Sequence, residues 1–405
     1  MGRISRSDHV PGNQDGMLAD LLDRLDQAPA AAMMDVSFEA LRDAMGLRHL
    51  WLYVADYSEE YLKPVPTLQA PPPPDRDISI RGSVPGRVYM TREILEAENE
   101  GGPALWVPIF RRSDRLGVLS FGVKEHDPRV TALAPAVALA IGAAVVGAQR
   151  HSDLFELARG ARQLSIAASL QWELLPLPIY EDPHVELAGR VEPAYDIGGD
   201  AFDFAVNADR VEIAIFDAMG HGLRATLMTT LAVGAYRFAR RRSESLQDMA
   251  RDIDEAVHGY SAEEAFVTGH LCRLHRDGTI TWLNAGHPVP LLLRDHSAAP
   301  LGDATPMLPF GLEGAPQELE TVQLQPGDIV LFFSDGVIEA RPEGGEPFGT
   351  ERFLDMAGRH GHPHADPLLL VRQILESVKE HSRNVLRDDA TLVAVRWLGR
   401  EEPEP

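Results

Sequence analysis

The chain has 405 residues, enough for two or three domains at roughly 150 residues each. A hydrophobic content of 44% and a charged content of 24% exclude a wholly disordered chain. With 38 Lys and Arg against 61 Asp and Glu, the net charge of −23 argues against nucleic acid as a partner; the lone cysteine, Cys272, excludes an internal disulfide or a thiolate metal cluster and fits a reducing, cytoplasmic setting.

Residues 1–17 are polar and are expected to be disordered. Leu18, Leu21, Leu22 and Leu25 then recur at three- and four-residue steps, which predicts a helix, and a second is expected near 38–45. Strands are predicted over 49–54, 104–110 and 116–123, the last two joined as a hairpin through 111–115. The proline run ending at Pro74 is a stiff loop. Residues 132–148 carry no charge, but the stretch is at the short edge for a span and contains Pro135, so it is read as a buried helix and no membrane anchor is expected. Apolar positions continue through 149–175, predicting a linker helix over 151–178 that ends at Pro176 and Pro178 and offers a homodimer seam.

Beyond residue 178 the texture changes. Strands are predicted over 185–193, 201–205, 211–216, 266–274, 279–284, 290–294, 329–333 and 391–395, with helices over 222–241, 245–260, 350–359 and 367–381. Strands grouped between helices favour an α+β sandwich over a doubly wound sheet. The acidic tail, 400–405, is expected to fray.

Four Asp-containing turns fall at strand ends: Gly198-Gly199-Asp200, Asp217-Ala218-Met219-Gly220-His221-Gly222, Ser334-Asp335-Gly336 and Asp388-Asp389-Ala390-Thr391. Each alone is ordinary turn chemistry. Asp217 and Asp335, however, follow strands of nearly continuous apolar residues, 213–216 and 329–333, whose burial fixes the residue at the end. If the four carboxylates converge, each like-charged pair at 4 Å costs roughly 4 kcal/mol at an effective dielectric of about 20, so protonation or a cation must neutralise them. An all-oxygen donor set favours Mg²⁺ or Mn²⁺, and two such ions activate water and clamp a phosphoryl group.

These stretches, with Leu175-Pro176, Tyr195-Asp196-Ile197, Asn284-Ala285-Gly286-His287-Pro288 and Val337-Ile338-Glu339-Ala340, resemble a bacterial SpoIIE-type protein phosphatase 2C domain over 179–399. The resemblance implies a β-sandwich flanked by helices, with two Mn²⁺ or Mg²⁺ ions at one edge. Asp217 would bridge both ions, Asp200 and the Ala218 carbonyl would bind one, and Asp335 and Asp388 the other. Asp203 and Asp389 stand as supporting residues or further ligands. The implied reaction is in-line attack of metal-activated water on phosphoserine or phosphothreonine. His221 and His287 are readable as general acids or as histidines that pack turns. Arg240-Arg241-Arg242 reads as a helix C-terminus or a docking patch, and the tract from His360 to His364 as a solvated loop.

The helix around 18–25, residues 82–88 and the strand pair 105–110 and 116–123 resemble a GAF sensory domain over 18–150. The expected whole is a phosphatase regulated by this sensor through an unknown small-molecule or protein input. By resemblance its substrate is a phosphorylated STAS-type anti-sigma-factor antagonist in a partner-switching pathway. A catalytically silent interaction module and a metal-dependent phosphodiesterase are the alternatives.

Overall fold

Amphipathic periodicity at the start of the chain forms α1 (Gln14–Gln27) and α2 (Met33–Met45), the latter stopped by Gly46 in the left-handed conformation, φ 63°. The computed structural model describes residues 14–399, apart from 75, 100–101, 112–113, 126, 193–197, 243, 261–264, 303–306, 313, 315–317 and 363. Helix α1 therefore begins inside the segment expected to be disordered. Residues 1–13, the acidic tail and the Tyr195-Asp196-Ile197 stretch lie outside the described residues. The chain divides into two units, Met1–Arg162 and Gln163–Pro405.

In the first unit β1 (His49–Ala55), β2 (Tyr61–Pro64), β3 (Ile78–Ser79), α3 (Val84–Thr91), β4 (Leu95–Asn99), β5 (Gly102–Arg111) and β6 (Asp114–Gly122) precede α4 (Pro128–Ala148) and α5 (Leu154–Arg159). The strands form an antiparallel sheet in the order β3-β2-β1-β6-β5-β4. Every residue of β1 is buried, because both faces are covered. Leu50, Leu52 and Val54 pack with α1, α2 and α4. Trp51, Tyr53 and Ala55 pack on the other face with Trp106, Val88 and Tyr89. Helix α4 is long and apolar enough to cross a membrane by length and composition. In the fold, its Val130, Val137, Ile141 and Val145 are buried in this unit's core.

The single helix expected over 151–178 is not present. After α4 come α5, a 3₁₀ turn at Ala161–Gln163 and α6 (Ile166–Leu174). The break has a local cause. Gly160 takes φ 103° and closes α5 as a left-handed cap, and Ser165 opens α6 by accepting from the Ala168 N–H. The homodimer seam expected along a continuous helix is interrupted with it.

The second unit continues from α6 with β7 (Ile179–Glu181), β8 (Val185–Glu192), β9 (Asp200–Val206), β10 (Arg210–Ala218), α7 (Leu223–Arg241), α8 (Leu246–Tyr260), β11 (Val267–His275), β12 (Thr279–Ala285), β13 (Leu291–Arg294), β14 (Ser297–Pro300), β15 (Glu320–Gln323), β16 (Ile329–Phe333), α9 (Asp335–Glu339), α10 (Thr350–His360), α11 (Pro367–His381) and β17 (Ala390–Trp397). Two antiparallel sheets result, ordered β15-β12-β11-β10-β9 and β14-β13-β16-β17-β8-β7. Phe202, Ile213, Ile215 and Trp282 of the first meet Leu187, Val330, Phe332 and Val393 of the second in one buried core. Each such side chain contributes about 1.5–3 kcal/mol by leaving water. Helices α7 and α8 cover the outer face of the five-stranded sheet through Ala214, Phe216, Met228, Tyr236 and Ile253. The architecture is a mixed α and β sandwich with helices outside it.

Candidate active site

Strand direction and parity assemble the site. Strand β9 begins at Asp200 and β10 ends one residue past Asp217, and the antiparallel register sets these two residues directly opposite each other. Strand β16 ends just before Ser334 and Asp335, and β17 begins just after Asp388 and Asp389. Along β10 the odd positions Ile213 and Ile215 face the second sheet, so Asp217 shares their face. Thr391 shares a face with Val393 and Val395 by the same alternation. One end of the sandwich thus receives carboxylates from both sheets. Ala218 has the opposite parity and packs its methyl group under the helices, leaving only its main chain to the site.

Hydroxyls and amides tie the two sheets together there. The Thr391 Oγ1 donates to Asp200 Oδ2 at 2.5 Å, and Ser334 also bonds the Asp200 carboxylate. Ser334 Oγ accepts from the Thr391 N–H at 3.0 Å. Asp389 Oδ2 accepts from the Asp200 N–H at 3.1 Å and from Gln171 Nε2 at 2.8 Å. Asp389 Oδ1 is buried with no hydrogen-bond partner.

The carboxylates disfavour one another's charge. Burial, then the charges of Asp217 and Asp389, hold Asp200 well above the usual carboxylate range. Asp217 is pushed up to about 8, by burial first and then by Asp335 and Asp388. Burial raises Asp389 to about 6 against the pull of the Asp200 N–H and the Gln171 amide. Burial, followed by Glu339 and Asp388, raises Asp335. Partial burial raises Asp388, opposed by the Asp389 N–H and the nearby His221.

Asp203 is separated from this group. Three residues beyond Asp200, it falls on the opposite face of β9, under α7, where it is 2% exposed. Arg237 holds it at 3.0 Å and Arg240 at 2.9 Å. Its expected place beside the metal site is therefore corrected: strand parity turns it away. Arg240 is committed to this pair and not to an external partner. His287 is buried in the turn after β12, with Nδ1 2.8 Å from Thr268 Oγ1, and burial followed by His270 holds it well below its ordinary value, hence neutral. His221 is exposed.

Among the described residues, no three His, Cys, Asp or Glu side chains stand close enough about one point to grip an ion in their present positions. The donor set nevertheless suits a hard dication. It is all oxygen, several carboxylates press on one another, and Asp389, whose other oxygen binds the Asp200 N–H, keeps one buried oxygen without a hydrogen-bond partner. Sequence reasoning missed Gln171. The only signal was a polar residue on the helix face that also carries Ala167 and Ala168, four residues before Leu175.

Residues 207–398 match the family model described as Stage II sporulation protein E, SpoIIE. This part of the chain is a SpoIIE-type domain by that match. The matched stretch holds Asp217, Asp335 and Asp388, while Asp200 precedes it. The phosphoserine phosphatase RsbU of Bacillus subtilis (strain 168) is 24% identical over 262 residues, covering 61% of this chain and 74% of its own length. The phosphoserine phosphatase RsbP of the same organism is 23% identical over 185 residues, covering 44% of this chain and 45% of its own. The chain thus spans about three quarters of one relative and under half of the other. A crystal structure of RsbU and RsbW domains from Mycobacterium tuberculosis is 26% identical with a TM-score of 0.48, covering 55% of this chain and 64% of that one. The SpoIIE-type domain is a serine/threonine protein phosphatase domain.

Proposed function

We propose that the chain is a metal-dependent phosphoserine/phosphothreonine protein phosphatase acting on a phosphorylated STAS-domain protein in a partner-switching pathway of the cytoplasm. The observation that carries the catalytic reading is the meeting of Asp200, Asp217, Asp335 and Asp388 at one end of the sandwich, delivered by both sheets. In this reading Asp217 would lie between the ions, with Asp200 and the Ala218 main chain serving one and Asp335 and Asp388 the other. These residues would hold two Mn²⁺ or Mg²⁺ ions, which when bound supply Lewis acidity to activate water and screen the phosphoryl oxygens.

The chain's own groups do the positioning. Thr391 and Ser334 fix the Asp200 carboxylate by hydrogen bonds. Strand β10, buried on both faces, fixes the end that carries Asp217. The exposed Asp388 and His221 lie at the rim, where a phosphorylated protein has access. The substrate class is supported by the likeness to the phosphoserine phosphatases RsbU and RsbP.

The test is phosphate release from a phosphoserine-bearing STAS protein by the full chain with Mn²⁺. Release should disappear in Asp217→Asn and in Asp335→Asn; full activity in both variants would end the catalytic reading. The first unit is assigned the part of a GAF-like sensor, supported by its six-stranded antiparallel sheet with α1, α2 and α4 on one face and α3 on the other. Removing residues 1–162 should change the rate, and an unaltered rate and metal dependence would remove the regulatory part alone.

A further inference from the structure

Helix α6 reaches the acidic cluster through one side chain. Gln171 is 2% exposed, and its Nε2 donates to both the Asp200 carbonyl and Asp389 Oδ2, each at 2.8 Å. An amide nitrogen has two hydrogens, so this donor is fully used. Its two acceptors come from different sheets: Asp200 opens β9, and Asp389 precedes β17. The same Asp389 oxygen accepts the Asp200 N–H, so Gln171 closes a ring that pins the two acidic segments together.

The helix that carries Gln171 is itself held at both ends. Ser165 caps its start. Arg237 donates to the Leu174 carbonyl at its end, at 2.6 Å, while the same guanidinium holds Asp203 of β9. Along its length Ala167 presses on the turn before Asp200, since a Cβ at Gly198 would lie 3.1 Å from the Ala167 methyl group and 2.5 Å from Thr226 Oγ1. The atom of Gln171 that faces these oxygens, Nε2, is a donor and has no lone pair to offer an ion.

We infer that Gln171 is a positioning residue that sets the divalent-cation affinity of the acidic cluster, by fixing Asp389 and the Asp200 main chain in the spacing that an ion requires. The inference rests on the metal-dependent reading above and adds to it the element that controls the site. Partners of this kind, one bond behind the ligands, typically change metal affinity by roughly 10–100-fold when removed.

Calorimetric titration of the full chain with Mn²⁺ tests it, together with the rise in melting temperature that Mn²⁺ produces over EDTA. Gln171→Leu keeps the volume and removes both hydrogen bonds. It should weaken Mn²⁺ binding at least tenfold and shrink the metal-induced rise in melting temperature, while Glu173→Gln, exposed on the same helix, changes neither. Should Gln171→Leu not fold, Gln171→Asn decides: its amide is one methylene short and should lose most of the affinity. Unchanged Mn²⁺ affinity in a folded Gln171 variant overturns the inference. Asp217→Asn separates the two readings. If it binds Mn²⁺ as tightly as the parent, the metal site itself is misplaced; if it does not and Gln171→Leu does, only the role of Gln171 fails.

Discussion

Asp217 faces Asp200 directly across the β9–β10 pair. Directly opposed residues hold their Cβ atoms about 4.5–5.5 Å apart, so two carboxylates here repel unless a proton or a cation lies between them. Asp217→Asn removes that repulsion. Without metal, the variant should be more stable than the parent by on the order of 1 kcal/mol, while phosphate release falls more than a hundredfold. Urea unfolding in EDTA beside a phosphatase assay checks both halves, and a less stable metal-free variant would count against the electrostatic account.

Gly336 offers a test of geometry without touching charge. A Cβ placed there would lie 2.0 Å from the Asp389 carbonyl oxygen, and the clash is with backbone, so no side chain can swing aside. Gly336→Ala should cost about 1–3 kcal/mol and separate Asp335 from Asp389. A displacement near 1 Å lowers rates about 100-fold, so near-parental turnover in this variant would show that the α9 turn tolerates more play than the structure allows.

Arg237 binds Asp203 and the end of α6 together. Arg237→Ala leaves the buried Asp203 carboxylate with Arg240 alone. Because one partner remains, the loss should be about 2 kcal/mol, below the roughly 3–5 kcal/mol typical of a fully broken buried pair. Chemical denaturation measures this, with Arg237→Lys recovering part of it.

Buried histidines set an acid limit, His287 among them. Burial, aided by Arg48, holds His49 down to about 4. Burial holds His270 down to about 4 against the hydrogen bond to the Pro288 carbonyl. Both folded values lie below the unfolded value, so the folded state binds fewer protons. Their contribution is fully present above about pH 6.5 and is lost as pH falls towards 4, up to about 3 kcal/mol each. Urea midpoints between pH 7 and 4.5 should fall accordingly. His270→Gln should flatten the fall for the second unit and His49→Gln for the first.

What could be read from the sequence follows from where burial dominates. The apolar runs ending at Asp217 and Asp335 announced β10 and β16, because a strand covered on both faces has to be apolar throughout. Edge strands such as β14 and β15 are short and half exposed, so their sequences carry no such run. Helix α9 spans only five residues, too few for a period to show. Asp203 was misplaced although the information was present: an odd separation from Asp200 along a strand means opposite faces. Gln171 was not legible because its partners lie 29 and 218 residues away. The linker was overextended because leucine spacing persists through Gly160, whose left-handed conformation no apolar pattern reveals.

That glycine also sets the size of the pieces around it. With a left-handed cap at Gly160 and a fresh N-cap at Ser165, α5 keeps six residues and α6 nine, so two stubs stand where an unbroken apolar pattern would have raised one long column.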